Sequence, residues 1–232
     1  LLSQDDFSTG ADLKGVSVDS LGHVRAGWNL GTVVLTGAGS VTASLVLPDG
    51  SVLIGTGPNG KVLHVQNGQV SDYADTKETA VVGLVSDGKT VYAGTLKGKI
   101  HRLDGAGKSA EIATIPDGDH ILAMAWDAKK NGMYAATGPN GRLFFVHPNG
   151  TVDLVFDSDE PQLSSVAVAD DGAVYAGSTG KGLLFKITGP GRATILLDCP
   201  GDEVKAIVPF KTSLFVIANE IGDAPALQPN FS

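Results

Sequence analysis

Four stretches of this chain are copies of one another. Ile54–Asn67 reads IGTGPNGKVLHVQN and Ala135–Asn149 reads AATGPNGRLFFVHPN. Val91–Asp104 (VYAGTLKGKIHRLD) and Val174–Thr188 (VYAGSTGKGLLFKIT) are looser versions of the same text. Each copy follows a short apolar run whose first residue is Val41, Val81, Ile121 or Leu163, and a fifth such run opens at Val204. These five anchors lie 40, 40, 42 and 41 residues apart. A regular period of this length with several short strands per unit requires tandem structural units that cover one another's apolar faces.

Each unit divides into four strands, a to d, numbered outward from a central channel. Strand a covers Val41–Leu47, Val81–Val85, Ile121–Trp126, Leu163–Val168 and Val204–Val208. Strand b covers Val52–Thr56, Val91–Thr95, Met133–Thr137, Val174–Ser178 and Leu214–Ala218. Strand c covers Lys61–Val65, Lys99–Leu103, Arg142–Val146 and Leu183–Ile187. Strand d covers Val70–Ala74, Ala110–Thr114, Val152–Phe156 and Ala193–Leu197. Asp49-Gly50, Asp87-Gly88, Asn131-Gly132 and Asp171-Gly172 separate a from b and supply the positive φ that tight hairpins need. With 31 glycines and 11 prolines the chain has the turn residues that so many short strands demand. The fold predicted is all-β: a β-propeller of four-stranded antiparallel blades, four of them complete.

Within strand b, Leu53, Tyr92, Tyr134, Tyr175 and Phe215 occupy one position, and Gly55, Gly94, Ala136, Gly177 and Ile217 follow two residues later on the same face. A large residue beside a small one suits the packing of one blade on the next, so the aromatic set is read as core filling.

The ends are ragged. Leu13–Trp28 reads as a further a–b hairpin and Gly31–Gly37 as one more strand. The last unit has only strands a and b, and the text after Asn219 is loop-like. The chain therefore divides into an N-terminal extension at 1–12, a propeller at 13–219 and a C-terminal loop or linker at 220–232. Terminal strands that share a blade give a ring of five or six. The alternative, preferred here, is a piece of a larger ring of up to seven blades, because an unclosed ring leaves an exposed edge. The chain begins at Leu1 and not at Met, which points to processing or to a fragment.

Seventeen basic against 25 acidic residues give a net charge of −8, which repels phosphate backbones, so nucleic acid is not an expected partner. A cation, a polar ligand or a basic protein surface suits this balance better. No apolar run reaches the length of a membrane span. The single cysteine, Cys199, permits no internal disulfide.

The repeated unit resembles a broad class of bacterial repeat β-propellers, among them seven-bladed secreted or sensor-linked proteins. The resemblance rests on Val91–Thr95, on Met133–Thr137 and on the two Thr-Gly-Pro-Asn-Gly turns at Thr56–Gly60 and Thr137–Gly141. It covers about Val41 to Asn219. It implies architecture and an extracytoplasmic, secreted or periplasmic setting, and says nearly nothing of activity. Trp126-Asp127 ends strand a, unlike the pair of Trp-Asp-repeat proteins, and Gly-Gly pairs of the kelch kind are absent. Propeller lyases and lactonases share the Tyr-Ala-Gly strand, but their metal or acid–base residues find no matching positions here.

The Thr-Gly-Pro-Asn-Gly turn lacks the Gly-Lys-Ser/Thr ending of a phosphate loop and joins two strands, so it reads as turn chemistry. Charge is the more informative signal. The b–c hairpins and the blade-to-blade d–a loops share one face of a propeller. Lys61, Lys97, Lys99, Arg142 and Lys181 mark the hairpins, whereas Glu78, Asp119, Glu160 and Glu203 mark the d–a loops. The acids are expected around the channel mouth, with the basic residues further out. None of the five histidines forms a metal-ligand spacing with another, and His64 and His101 are expected on opposite faces of their sheets; His120, beside Asp119, is the one at the channel entrance. There is no nucleophile elbow and Cys199 has no neighbouring histidine, so no catalytic set is assigned.

The function read from this is a non-enzymatic scaffold that binds a protein partner or small polar ligand on the b–c and d–a face, through Lys61, Lys97, Lys99, Arg142, Lys181 and His120, with no cofactor. The alternatives are a lactonase- or lyase-type enzyme with a divalent cation held by Glu78, Asp119, Glu160 and Glu203, and a structural subunit of a larger assembly.

Overall fold

A computed structural model describes residues 32–220 and the backbone of two short strands before them, β1 (Val16–Val18) and β2 (Val24–Ala26), which pair with each other. Leu1–Leu35 forms one compact unit and Thr36–Ser232 the other. The expectations placed on residues 1–12, on Leu13 and Trp28, and on most of 220–232 lie outside the described residues.

The second unit is built from four four-stranded antiparallel blades, each in the chain order a-b-c-d, the fourth joined by a single Thr179–Glu203 bridge to the hairpin that follows it. Blade 1 is β3 (Ser40–Val46), β4 (Val52–Gly57), β5 (Lys61–Gln66) and β6 (Gln69–Asp75). Blade 2 is β7 (Val81–Ser86), β8 (Val91–Thr95), β9 (Lys99–Gly105) and β10 (Lys108–Thr114). Blade 3 is β11 (His120–Asp127), β12 (Gly132–Gly138), β13 (Arg142–Val146) and β14 (Val152–Asp157), and blade 4 is β15 (Gln162–Val168), β16 (Val174–Thr179), β17 (Leu183–Gly189) and β18 (Arg192–Asp198). A two-stranded hairpin, β19 (Glu203–Phe210) and β20 (Ser213–Asn219), follows. The strand expected at Gly31–Gly37 is not formed over the described residues 32–37, which run as loop and turn.

The period seen in the sequence has a mechanical meaning. Val81, Ile121, Leu163 and Val204 are each fully buried. Burial on this scale contributes on the order of 1.5–3 kcal/mol per side chain. Each seats against the small residue of the preceding blade's strand b. A Cβ placed on Gly177 would lie only 2.4 Å from Val204 Cγ1, so glycine is needed there to let the next blade approach. The aromatic position works the same way: Tyr92 stacks on Trp126 of the next blade at 5.6 Å, nearly parallel.

Phe215, the last of the aromatic series, differs from the expectation of core filling, and the first anchor, Val41, is likewise uncovered. Val41 is 57% exposed and Phe215 is 59% exposed, because no described blade packs on the outer side of β3 or on the far face of β19–β20. The socket position of that last hairpin carries Ile217, also exposed, in place of a small residue.

Each a–b pair is interrupted by a register shift directly after its anchor, at Val41/Ala43, Val81/Gly83, Ile121/Ala123, Leu163/Ser165 and Val204/Ala206. The extra residue of such a bulge is turned out of the ladder. Here those residues are Thr42, Val82, Leu122, Ser164 and Lys205, and all five line a central cavity of about 390 Å³ shared by the innermost strands. Thr42 and Ser164 return their hydroxyls to backbone carbonyls, Thr42 to Val81 O at 2.6 Å and Ser164 to Val204 O at 3.1 Å.

His64 and His101 sit one register step apart, opposite Leu53 and Ala93 respectively, so they face opposite sides of their sheets. Equivalents of His101 in the other blades are Leu63, Phe144 and Phe185. His101 is buried and neither ring nitrogen finds a hydrogen-bond partner among the described residues. Burial pushes its pKa below the ordinary 6.5. The unfolded chain therefore binds the proton more readily, so this site leaves stability intact above about pH 6.5 and erodes it as pH falls toward the depressed native value. His101→Leu is expected to raise stability by about 1 kcal/mol at pH 7, since a buried unsatisfied polar group is removed. The gain should widen between pH 6.5 and 5 in urea titrations; a gain independent of pH would contradict the assignment.

Candidate functional site

The b–c hairpins and d–a loops meet on one face, and their contact is close. Gly60, Gly98, Gly141 and Gly182 occupy equivalent places before strand c and all have positive φ. At Gly141 an added Cβ would stand 1.9 Å from the carbonyl oxygen of Glu160, so the hairpin lies directly on the d–a loop that enters the next blade. Hydrogen bonds repeat the contact. Ser158 Oγ donates to Gly141 O at 2.7 Å and Thr76 Oγ1 donates to Gly60 O, also at 2.7 Å. The peptide bonds Gly57-Pro58 and Gly138-Pro139 are cis.

The charged groups join this framework. Asp119 is fully buried. It receives Arg142 Nε at 2.8 Å and Thr137 Oγ1 at 3.0 Å on one oxygen and Asn140 Nδ2 at 2.6 Å on the other. Burial opposes its charge, but the donations from Arg142, Asn140 and Thr137 outweigh it and hold the carboxyl below the ordinary aspartate range. Arg142 is held charged far above its ordinary value by Asp119 and, at 2.8 Å, Asp117. Its guanidinium also lies over the Phe144 ring, 5.4 Å from the centroid.

Glu160, likewise buried, accepts from the backbone N–H of Lys181 at 2.7 Å and from Ser178 Oγ at 3.3 Å, with Lys181 Nζ 3.6 Å away. Glu78 pairs with Lys99 Nζ at 2.9 Å, and Lys99 also reaches Glu111 at 3.1 Å. Glu203 pairs with Lys205 at 3.3 Å and accepts from Asn219 Nδ2. In every case the acid of a d–a loop binds the strand or hairpin that follows it in the chain, so each acid closes its own blade.

The acidic and basic sets of this face are thus joined to each other. Lys99, Arg142 and Lys181 are the partners of those acids. Lys61 pairs with Asp72 at 3.2 Å, and both remain substantially exposed. Lys97 and His120 are exposed on the same face. Lys97 lines a polar cavity of about 440 Å³ together with Asn59, Asp75, Lys77 and Glu78. Among the described residues no group of three or more His, Cys, Asp or Glu is placed to hold a metal ion. Cys199 is buried, and burial together with Asp198 pushes its thiol pKa up, away from nucleophilic reactivity.

Sequence reasoning missed Thr137 and Asn140 as partners of Asp119. The Thr-Gly-Pro-Asn-Gly text names both residues, but it does not show that a carboxylate 18 to 21 positions earlier reaches them.

With this geometry in view, comparison with solved structures is informative about the fold. Virginiamycin B lyase from Staphylococcus aureus superposes with a TM-score of 0.65 at 17% identity, over 83% of this chain and 66% of that one. The chain thus spans just under two thirds of the lyase. The extracellular domain of the one-component system BT4673 from B. thetaiotaomicron matches with a TM-score of 0.61 at 14% identity, over 76% of this chain and 26% of that one. YCF48 from Cyanidioschyzon merolae matches with a TM-score of 0.56 at 18% identity, over 79% and 66%. The chain has the β-propeller fold. No family model matches it, and no curated protein sequence matches it significantly. At these identities the likeness carries the propeller architecture and not an activity. Among the described residues no helix is long and apolar enough to cross a membrane.

The depressed Asp119 also fixes a pH response. A carboxyl whose native pKa lies below its unfolded value contributes stability above the ordinary range, about 3.9, and loses it as pH falls through the native value. Asp119→Asn is expected to flatten the acid limb of a stability–pH profile below about pH 4. An unchanged limb would show that other groups carry it.

Proposed function

We propose that this propeller is a non-enzymatic scaffold that binds a protein segment or a small polar ligand on the face of its b–c hairpins and d–a loops. The observation that carries the reading is that this face is already fixed. Gly60, Gly98, Gly141 and Gly182 press the hairpins onto the d–a loops, and Asp119 and Glu160 are consumed in holding them. A surface that does not need ordering binds at lower entropic cost. The polar cavity between Asn59, Asp75, Lys77, Glu78 and Lys97 offers both signs of charge and hydrogen-bonding groups within about 440 Å³, a size that suits a small ligand or one anchoring side chain.

The test is a titration of short acidic, basic and zwitterionic peptides into the labelled chain, followed by amide NMR. Saturable shifts at Asn59, Lys97 and Lys181 that disappear in a Lys97→Glu, Lys181→Glu variant support the reading. Shifts confined to the other face would refute it. So would one divalent ion per chain that survives dialysis and is lost in Glu78→Gln, which would favour the metal-dependent enzyme instead.

A further inference from the structure

The opposite ends of the strands, where the a–b and c–d turns lie, hold a third cavity, between blades 3 and 4. Its volume is about 790 Å³, inside the roughly 300–1,000 Å³ typical of small-molecule sites. The floor is aromatic and aliphatic. Tyr134, Phe145 and Val174 are buried beneath it, and Leu154 stands half exposed at its edge. Tyr134 meets Phe145 edge-on at 5.0 Å, and Phe145 meets the His147 ring edge-on at 4.9 Å.

The polar groups of this cavity are unequal in their commitments. Asp153 lies 2.9 Å from His147 Nε2 and is 60% exposed, at the outer rim. Lys130 donates to the Tyr134 hydroxyl at 2.6 Å, beyond the edge of that ring, and stands 5.9 Å from the centre of the Phe145 ring. It has no carboxylate partner among the described residues. Its backbone is placed by the buried Asp127, which accepts from the N–H groups of Lys129 and Lys130 at 2.9 and 3.0 Å. Lys130 is exposed and, without a carboxylate partner, stands beside an apolar floor, where it can receive an anion that brings its own apolar body.

We infer that this cavity binds a small aromatic monocarboxylate, its ring against Phe145, Val174 and Leu154 and its carboxylate on Lys130. The site is separate from the b–c and d–a face and stands whether or not that face binds anything.

The probes are 2-naphthoate and the uncharged 2-naphthamide, titrated into the full chain with amide NMR. Naphthoate is expected to bind saturably, with shifts at Lys130, Tyr134, Phe145 and Thr188, and at least about tenfold more tightly than the amide, a difference of about 1.4 kcal/mol. Lys130→Met should bring naphthoate down to the affinity of the amide while circular dichroism stays native, with a thermal midpoint lowered by a few degrees because the Tyr134 hydroxyl loses its partner. Lys89→Met, on the a–b turn of blade 2 and away from the cavity lining, should leave it within about twofold. Equal affinity for acid and amide, equal loss in both lysine variants, or no saturable shift at these residues would overturn the assignment.

Discussion

Asp119→Ala is expected to lower the stability of this propeller by about 3 kcal/mol, because it removes the buried counter-charge of a largely buried guanidinium and leaves it only the exposed Asp117. For a chain of this size that corresponds to a fall in Tm of roughly 6–12 °C. The Arg142 side chain is 13% exposed and Asp119 is fully buried, so little water is available to replace the lost bonds. Asn140 and Thr137 lose an acceptor in the same step. The contrast is Lys77→Ala. Lys77 pairs with Asp75 but is 82% exposed, and such pairs contribute about 0–1 kcal/mol. Thermal melts of the two variants, side by side, check whether burial decides the value of an ion pair here.

The second large effect is expected for Gly141→Ala, with a loss of about 2–4 kcal/mol from overpacking added to backbone strain. The new methyl would sit 1.9 Å from Glu160 O and 2.6 Å from Ser158 Oγ, at φ +56°, so the hairpin and the d–a loop must separate. Gly50→Ala separates the two causes. Gly50 has φ +81° but nothing within 4 Å of an added Cβ, so only the conformational cost remains, on the order of 1 kcal/mol. Equal losses at the two positions would mean that the close approach at Gly141 carries no weight. The Gly141 variant should also blur the peptide response at Asn59, Lys97 and Lys181 if the fixed loops are what make that face competent.

Much of this fold was legible in the sequence, for a physical reason. Strand alternation has a period of two, the Asp-Gly and Asn-Gly pairs mark the hairpins, and the anchors recur because each blade needs one. The strands of all four blades begin and end within two residues of the expected bounds. The bulge after each anchor was not legible. Val82 and Leu122 continue an apolar run without a break, and only pairing with the next strand shows that they leave the ladder. The exposure of Phe215 was hidden for a related cause: its position in the strand is that of Tyr92, and what differs is the neighbour beyond it.

For the site, the sequence placed the acids on the d–a loops but could not say what they bind. Asp119 and Arg142 are 23 residues apart and meet only after β12 has been laid beside β11. The cavity under Lys130 draws its residues from turns and strands of two blades, each unremarkable alone. Patterns local to a strand are therefore readable, whereas pairings that depend on blade closure are not.

The central claim is that the charges of the b–c and d–a face are latches that hold a binding surface in place. A double-mutant cycle on Asp119→Ala and Arg142→Ala, read from urea denaturation at neutral pH, tests it most directly. The account predicts a coupling of about 2 kcal/mol or more between the two sites. Additivity within about 0.5 kcal/mol would contradict it, because the two side chains would then not act as one fastening.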